Sequence, residues 1–159
     1  IWLLGSSDYS GGLAALLGLR FAFAHFITAQ GGDAGMQTYK SAFMPSARED
    51  APHTRLCVFA ICADTGAEAE RLAASIDLRR LHMALGVDAP VPTYAEAAAR
   101  KYDERETAYI RSQRARVVLG DPPTVRAIEP IVLEMHTMRL SSLFATCSRK
   151  ASVIFTAPM

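Results

Sequence analysis

Four hydroxyl-bearing side chains, Ser6, Ser7, Tyr9 and Ser10, fall within five residues directly after Gly5. A Gly-Ser-Ser turn that enters a helix brings such hydroxyls next to the unsatisfied N–H groups of the first turn. Those groups carry about half a positive charge, so the turn can bind phosphate. The same residue types are also the commonest helix N-caps, so spacing alone leaves a cradle and a simple cap equally open. Two sharper phosphate motifs are excluded. No lysine follows at the position a Walker loop needs, and the further glycines of the dinucleotide fingerprint are missing. A nucleophile elbow fails as well, because Tyr9 stands where its second glycine belongs.

The other reactive residues form weaker constellations. His25 falls near the end of an apolar segment, the place where parallel α/β folds build their sites, and a buried core histidine is the competing reading. Arg79 and Arg80 are about 100° apart on a helix, too divergent for an anion clamp, and are expected at the surface. Asp103, Glu104 and Glu106 resemble a carboxylate pair until the interleaved Lys101 and Arg105 mark a solvated, salt-bridged helix. Cys57 and Cys62 are five apart on an expected strand and point to opposite faces, so with Cys147 they read as reduced, buried thiols. The four histidines, His25, His53, His82 and His136, show no ligand spacing, and no metal site is expected.

The elements that must position these residues follow from pattern. Half of the 159 residues are apolar, enough for one domain with a sizeable core. A formal net charge of +1, with the charges scattered, argues against a nucleic-acid surface. No apolar run approaches the ~20 residues of a membrane helix, so a cytoplasmic protein is expected.

Ile1 to Leu4 reads as a strand buried on both faces, and Ser10 to Leu17 as a helix capped at Gly18. Phe21 to Phe26 reads as the next strand, which gives a parallel β-α-β unit. Glycines 31 to 35 read as loop and Met36 to Phe43 as a helix stopped by Pro45. Leu56 to Ala63 is the clearest strand. It leads to an Asp64-Thr65 cap and a helix to Gly86, whose core stripe runs through Ala69, Leu72, Ala73, Ile76, Arg80 and Met83.

A Pro-rich link precedes an Ala-, Glu- and Arg-rich helical excursion to Arg116, broken near Asp103. Val117 to Leu119 is too short for a main strand. Asp121 caps a helix with prolines in its first turn, and Pro130 interrupts that helix. Ser152 to Thr156 has the composition of a short strand. Strand-helix alternation of this kind fits a doubly wound sheet or part of an eight-fold barrel.

The opening "WLLGSSDYSGGLAALLGLRFAFAHF" resembles the bacterial-luciferase-like family of flavin-dependent monooxygenases, with its strand end, helix, "LGL" and "FAFA-x-HF" in order. "CADTGAEAERLA" and "VVLGDPPTV" are similar to two later blocks of that family. The resemblance covers about residues 1–135 and implies an α/β fold: the C-terminal half of a (β/α)8 TIM barrel, truncated at the N-terminus. Residues 136–159 are expected to be a divergent or frame-altered tail, since the family's acidic-Glu-apolar strand is absent there.

The resemblance further implies reduced FMN, or a deazaflavin in some branches, at the C-terminal mouth. Its phosphate would lie on Ser6, Ser7, Tyr9 and Ser10, with His25 and Phe26 facing substrate or flavin. Because the flavin carries the chemistry with O2, no catalytic acid-base residue is expected in this segment. A small organic substrate, a flavin reductase supplying reduced flavin, and a homo-oligomer are the implied partners. A half-barrel with open edges is expected to fold poorly and to be inactive alone, so a non-catalytic remnant of the barrel is the alternative.

Overall fold

A computed structural model describes residues 1–127 and the backbone of residues 151–158. The strands are β1 (Trp2–Gly5), β2 (Arg20–Ala24), β3 (Thr54–Cys62), β4 (Val117–Gly120) and β5 (Ala151–Pro158). The helices are α1 (Asp8–Leu16), α2 (Gly32–Ala42), α3 (Gly66–Ala84), α4 (Tyr94–Ala99) and α5 (Glu104–Arg114). β1 to β4 are hydrogen-bonded in chain order and all pair in parallel, while β5 runs antiparallel along β3. The parallel β1-α1-β2 unit is therefore as expected. β5 covers the strand expected at Ser152 to Thr156 and extends past it at both ends. The interruption expected at Pro130, together with His136 and Cys147, lies outside the described residues.

α1 and α2 bury the first core. Phe21, Phe23 and Leu56 meet Ala14, Ala15, Met36 and Tyr39, with Leu3 at the margin. Tyr39 ties the layer together: its hydroxyl donates to the Leu19 carbonyl at 3.0 Å and accepts from the His53 N–H at 3.0 Å. The two helices approach so closely that a Cβ on Gly11 would lie 2.4 Å from the Gly35 carbonyl oxygen. Gly18, with φ +57°, ends α1 as its position in the sequence implies.

Two expectations are corrected here. β1 is only half-buried and its Leu4 is exposed, because β1 ends the β1–β4 path and pairs only with β2. α2 begins at Gly32, four residues before Met36, because Gly31 takes a left-handed N-cap conformation and Gly35 serves as a contact inside the helix, not as a breaker.

β3 carries the second core on Phe59 and Ile61, continued by Ala63 just past its end, against Ala69, Leu72, Ala73 and Ile76 of α3, with Val117 and Leu119 of β4. Thr65 caps α3 through the Glu68 N–H at 3.2 Å, and Gly86 follows its end with φ +71°. The expected stripe holds over Ala69 to Ile76 but not at Met83, which is exposed; Asp77, Leu78 and Leu81 are buried instead. Leu78 and Leu81 form a second face against Ala97, Tyr102 and Tyr109 of the α4–α5 region.

α4 and α5 are separated at Asp103, as read, but α5 is not simply solvated. Arg114 reaches back to Asp77 at 2.6 Å and to Glu70 at 2.9 Å. β4 corrects the reading of Val117 to Leu119 as too short: four residues suffice because β3 supplies a parallel partner from Phe59 to Cys62.

Candidate functional site

Parallel pairing sets the ends of β1, β2, β3 and β4 along one edge of the sheet, and the hydroxyl-rich turn lies there. Ser7 is the N-cap of α1 and closes a reciprocal capping box with Ser10. The Ser10 N–H donates to Ser7 Oγ at 3.3 Å and the Ser7 N–H donates to Ser10 Oγ at 3.2 Å. Ser10 Oγ donates in turn to the Ser7 carbonyl at 2.7 Å, and the two hydroxyl oxygens lie 3.2 Å apart. Sequence left a cap and a cradle open, and the cap is formed. The Ser7 and Ser10 hydroxyls sit together at the positive end of a nine-residue helix. Asp8 in the first turn answers part of that positive charge and is the one carboxylate an incoming anion would meet there.

Gly5 makes this arrangement possible. A Cβ at that position would lie 2.3 Å from both Cβ and Oγ of Ser10, so any side chain would push Ser10 off the strand end. Ser6 is half-buried, whereas Tyr9 is 78% exposed and projects to solvent.

The register Gly5↔Phe23 sets Ser6 and Ser7 level with Ala24 and His25. The two groups singled out in sequence, Ser6 to Ser10 and His25 with Phe26, thus stand at adjacent strand ends. His25 is buried, with 7% exposure, and its backbone N–H turns back to the Phe23 carbonyl at 3.2 Å. Phe26 is half-buried and lies beyond β2, not on it as expected, because the chain turns at His25. The Arg116 guanidinium hydrogen-bonds the Ile27 carbonyl and fastens this turn to the start of β4.

Other groups discounted from sequence are structural here. Asp103 and Glu106 form a capping box on α5, and Glu106 pairs with Arg100 at 2.5 Å. Arg80 is half-buried over the Phe59 ring at 5.2 Å and donates to the Gln113 carbonyl; burial lowers its pKa. Cys57 and Cys62 are both buried and are not bridged to each other, and burial pushes the Cys57 thiol up. Among the described residues no helix is long and apolar enough to cross a membrane.

Two contributors escaped the sequence reading. Gly5 was legible as a strand stop but not as the space Ser10 folds into. Gly35 was read as loop, although its Cα faces the Ser7 carbonyl and the Asp8 carboxylate so closely that a Cβ would meet them at 3.5 and 3.6 Å. The four-residue spacing of Gly31, Gly35 and Tyr39 is the helical signal that would have found it.

The chain has relatives of known name. A luciferase-like monooxygenase of Escherichia coli K12 is 32% identical over 126 residues, which is 79% of this chain and 38% of that protein. The chain is similar to luciferase-like monooxygenases. Two uncharacterized Bacillus subtilis proteins, YceB and YwcH, are each 38% identical over 79% of the chain. The crystal structure of apo-MsnO8 superposes with a TM-score of 0.73 at 35% identity, covering 86% of this chain and 42% of that one. No family model matches the chain. The chain spans about 38% of the length of the curated relatives it matches.

Proposed function

We propose that this chain is part of a luciferase-like, flavin-dependent monooxygenase and contributes the C-terminal half of its (β/α)8 barrel. The observation that carries the reading is the hydroxyl-rich turn at the end of a parallel strand, in a chain 32% identical to a luciferase-like monooxygenase. Four parallel strands hydrogen-bonded in chain order are what a barrel arc requires, whereas a doubly wound sheet reverses direction at a switch point.

The turn fits a flavin phosphate. Ser7 and Ser10 offer hydroxyls at a helix N-terminus, Gly5 leaves the space they occupy, and Ser6 lies beside them. Tyr9, exposed on the outer side of that turn, supplies a phenol to the phosphate only by swinging inward. His25 and Phe26 line the neighbouring strand end as the substrate- or flavin-facing pair. Bound reduced FMN would supply the reaction with O2, and this chain's residues would hold the phosphate and keep water from the strand ends. A deazaflavin would use the same phosphate turn. A flavin reductase is the natural source of reduced flavin, and a small organic molecule the substrate.

Equilibrium binding of FMN and of riboflavin, which lacks the phosphate, tests the assignment in the full-length protein. Ser7→Ala with Ser10→Ala is expected to weaken FMN at least tenfold and leave riboflavin unchanged. Equal FMN binding by the double variant and the parent overturns the phosphate turn. Full-length protein that binds neither flavin favours the non-catalytic remnant.

A further inference from the structure

At the opposite ends of the same strands, far from the serine turn, Trp2, Arg20 and Arg55 share one face of the sheet. The register pairs Trp2 with Arg20 and Ala22 with Arg55, and Arg20 and Ala22 are two apart on β2. All three side chains therefore leave the face opposite Phe21, Phe23 and Leu56. The Arg55 guanidinium stacks over the Trp2 ring at 4.4 Å from its centroid, and Arg20 lies 5.6 Å from it.

The two arginines differ in how they are answered. Arg20 Nε is 2.6 Å from the Glu49 carboxylate, which also lies 3.6 Å from His53. Arg55 makes no ion pair among the described residues; its Nε is buried without a hydrogen-bond partner, as is that of Arg20, which differs in having the Glu49 carboxylate beside it. A half-buried guanidinium left in this state is costly, and it is well prepared for a ligand. Stacking on the indole fixes its plane and leaves the edge N–H groups to engage a planar oxyanion two at a time.

We propose that Arg55, oriented by Trp2 and assisted by Arg20, forms a receptor for a small oxyanion, carboxylate or phosphate, at the N-terminal end of the sheet. Glu49 is the competing carboxylate: it already occupies Arg20, so Arg55 provides the bidentate contact and Arg20 only its residual field. The site uses none of the residues assigned to the flavin and lies on the sheet face turned from α1 and α2, which in the proposed barrel is the interior face at its N-terminal end.

Trp2 is the only tryptophan of the chain, so its emission reports the site directly. Citrate and inorganic phosphate, titrated separately into the whole chain at constant ionic strength, are expected to change that emission saturably, and their relative affinities decide which oxyanion the site prefers. Arg55→Met should abolish saturation. Arg55→Lys, which keeps the charge but not the fork, should weaken it roughly tenfold, about 1.4 kcal/mol.

A non-saturable change, one matched by sodium chloride, or one retained in Arg55→Met overturns the proposal. If Arg55→Met lacks the parent's far-ultraviolet circular dichroism, Arg55→Lys decides, and parental affinity in that variant is fatal to the site. Emission that depends on protein concentration without added anion would mean that a second copy supplies the carboxylate, and would likewise overturn it.

Discussion

The two helical layers of this chain are held against the sheet by different physics. α1 and α2 meet through backbone: Gly11 faces the Gly35 carbonyl, Gly35 faces Ser7 and Asp8, and Tyr39 hydrogen-bonds main chain on both sides. α3 and α5 meet through charge: Asp77 is buried at 6% exposure under Arg114, and Arg114 also reaches Glu70. The candidate turn belongs to the first layer. Close backbone contact tolerates no added atom but is indifferent to salt and pH, which suits a turn that must hold two hydroxyls in register. The charged layer tolerates bulk and depends on its pairing.

Removing Asp77 should have the largest effect. Asp77→Ala leaves Arg114 half-buried with only the exposed Glu70, and burial then works against its charge without the Asp77 bonds, the larger part of what now raises its pKa. A loss of about 3 kcal/mol in urea unfolding is expected, at the lower end for a broken buried pair because Arg114 retains some solvent access. Flavin binding in the full-length protein should change little. A comparable loss of FMN affinity would mean that the two layers are not separable.

Gly11→Ala probes the other layer. The new methyl group would sit against a carbonyl oxygen that cannot rotate away, so α1 and α2 must part by a few tenths of an ångström or more. Destabilisation of about 2 kcal/mol is expected. Here FMN affinity should fall with stability, because the Ser7 cap rides on α1. Gly5→Ala sharpens the point. It should cost about as much, about 2 kcal/mol, because the Ser10 Cβ it meets is fixed to α1, and it should displace Ser10 and weaken FMN while sparing riboflavin. If Gly5→Ala leaves the FMN-to-riboflavin ratio unchanged, Ser10 does not touch the phosphate.

The contrast also explains what could be read from sequence. Several strands and caps were legible, because Gly18, Thr65 and Asp121 carry local chemistry that acts on their own neighbours, whereas Asp103 was read only as a break and is the α5 cap. The juxtaposition of Ser6–Ser10 with His25 was legible once parallel pairing was inferred. The start of α2 was not, since Gly31, Gly32 and Gly35 look like loop until Gly11 of α1 is seen against the Gly35 carbonyl. β4 was not, because a four-residue strand exists only by virtue of β3. Asp77 under Arg114 was not either, since its partner lies 37 residues away.

The smallest expected effect lies at the edge of the charged layer. Glu96 accepts from the Thr93 N–H at 2.7 Å and from the Thr93 hydroxyl at 2.8 Å, and these two bonds hold its carboxyl below the ordinary 4.5. A carboxyl depressed on folding contributes stability that is complete above its unfolded value. That contribution is lost as pH falls through the lower folded one. Thr93→Ala removes the hydroxyl bond but keeps the backbone N–H, the larger of the two causes, so the Glu96 titration, followed by carboxyl NMR shifts, should rise only part of the way back toward 4.5. The stability lost with that bond should be fully felt near neutrality and shrink as pH falls through the Glu96 titration, so the acid limb of the variant is slightly flatter than the parent's. Glu106, in the matching box on α5, pairs with Arg100 as well as capping Asp103. If Thr93→Ala costs as much in urea unfolding at neutral pH as Asp103→Ala does, the Arg100 ion pair adds nothing to the cap, and charge is less important in this layer than its geometry indicates.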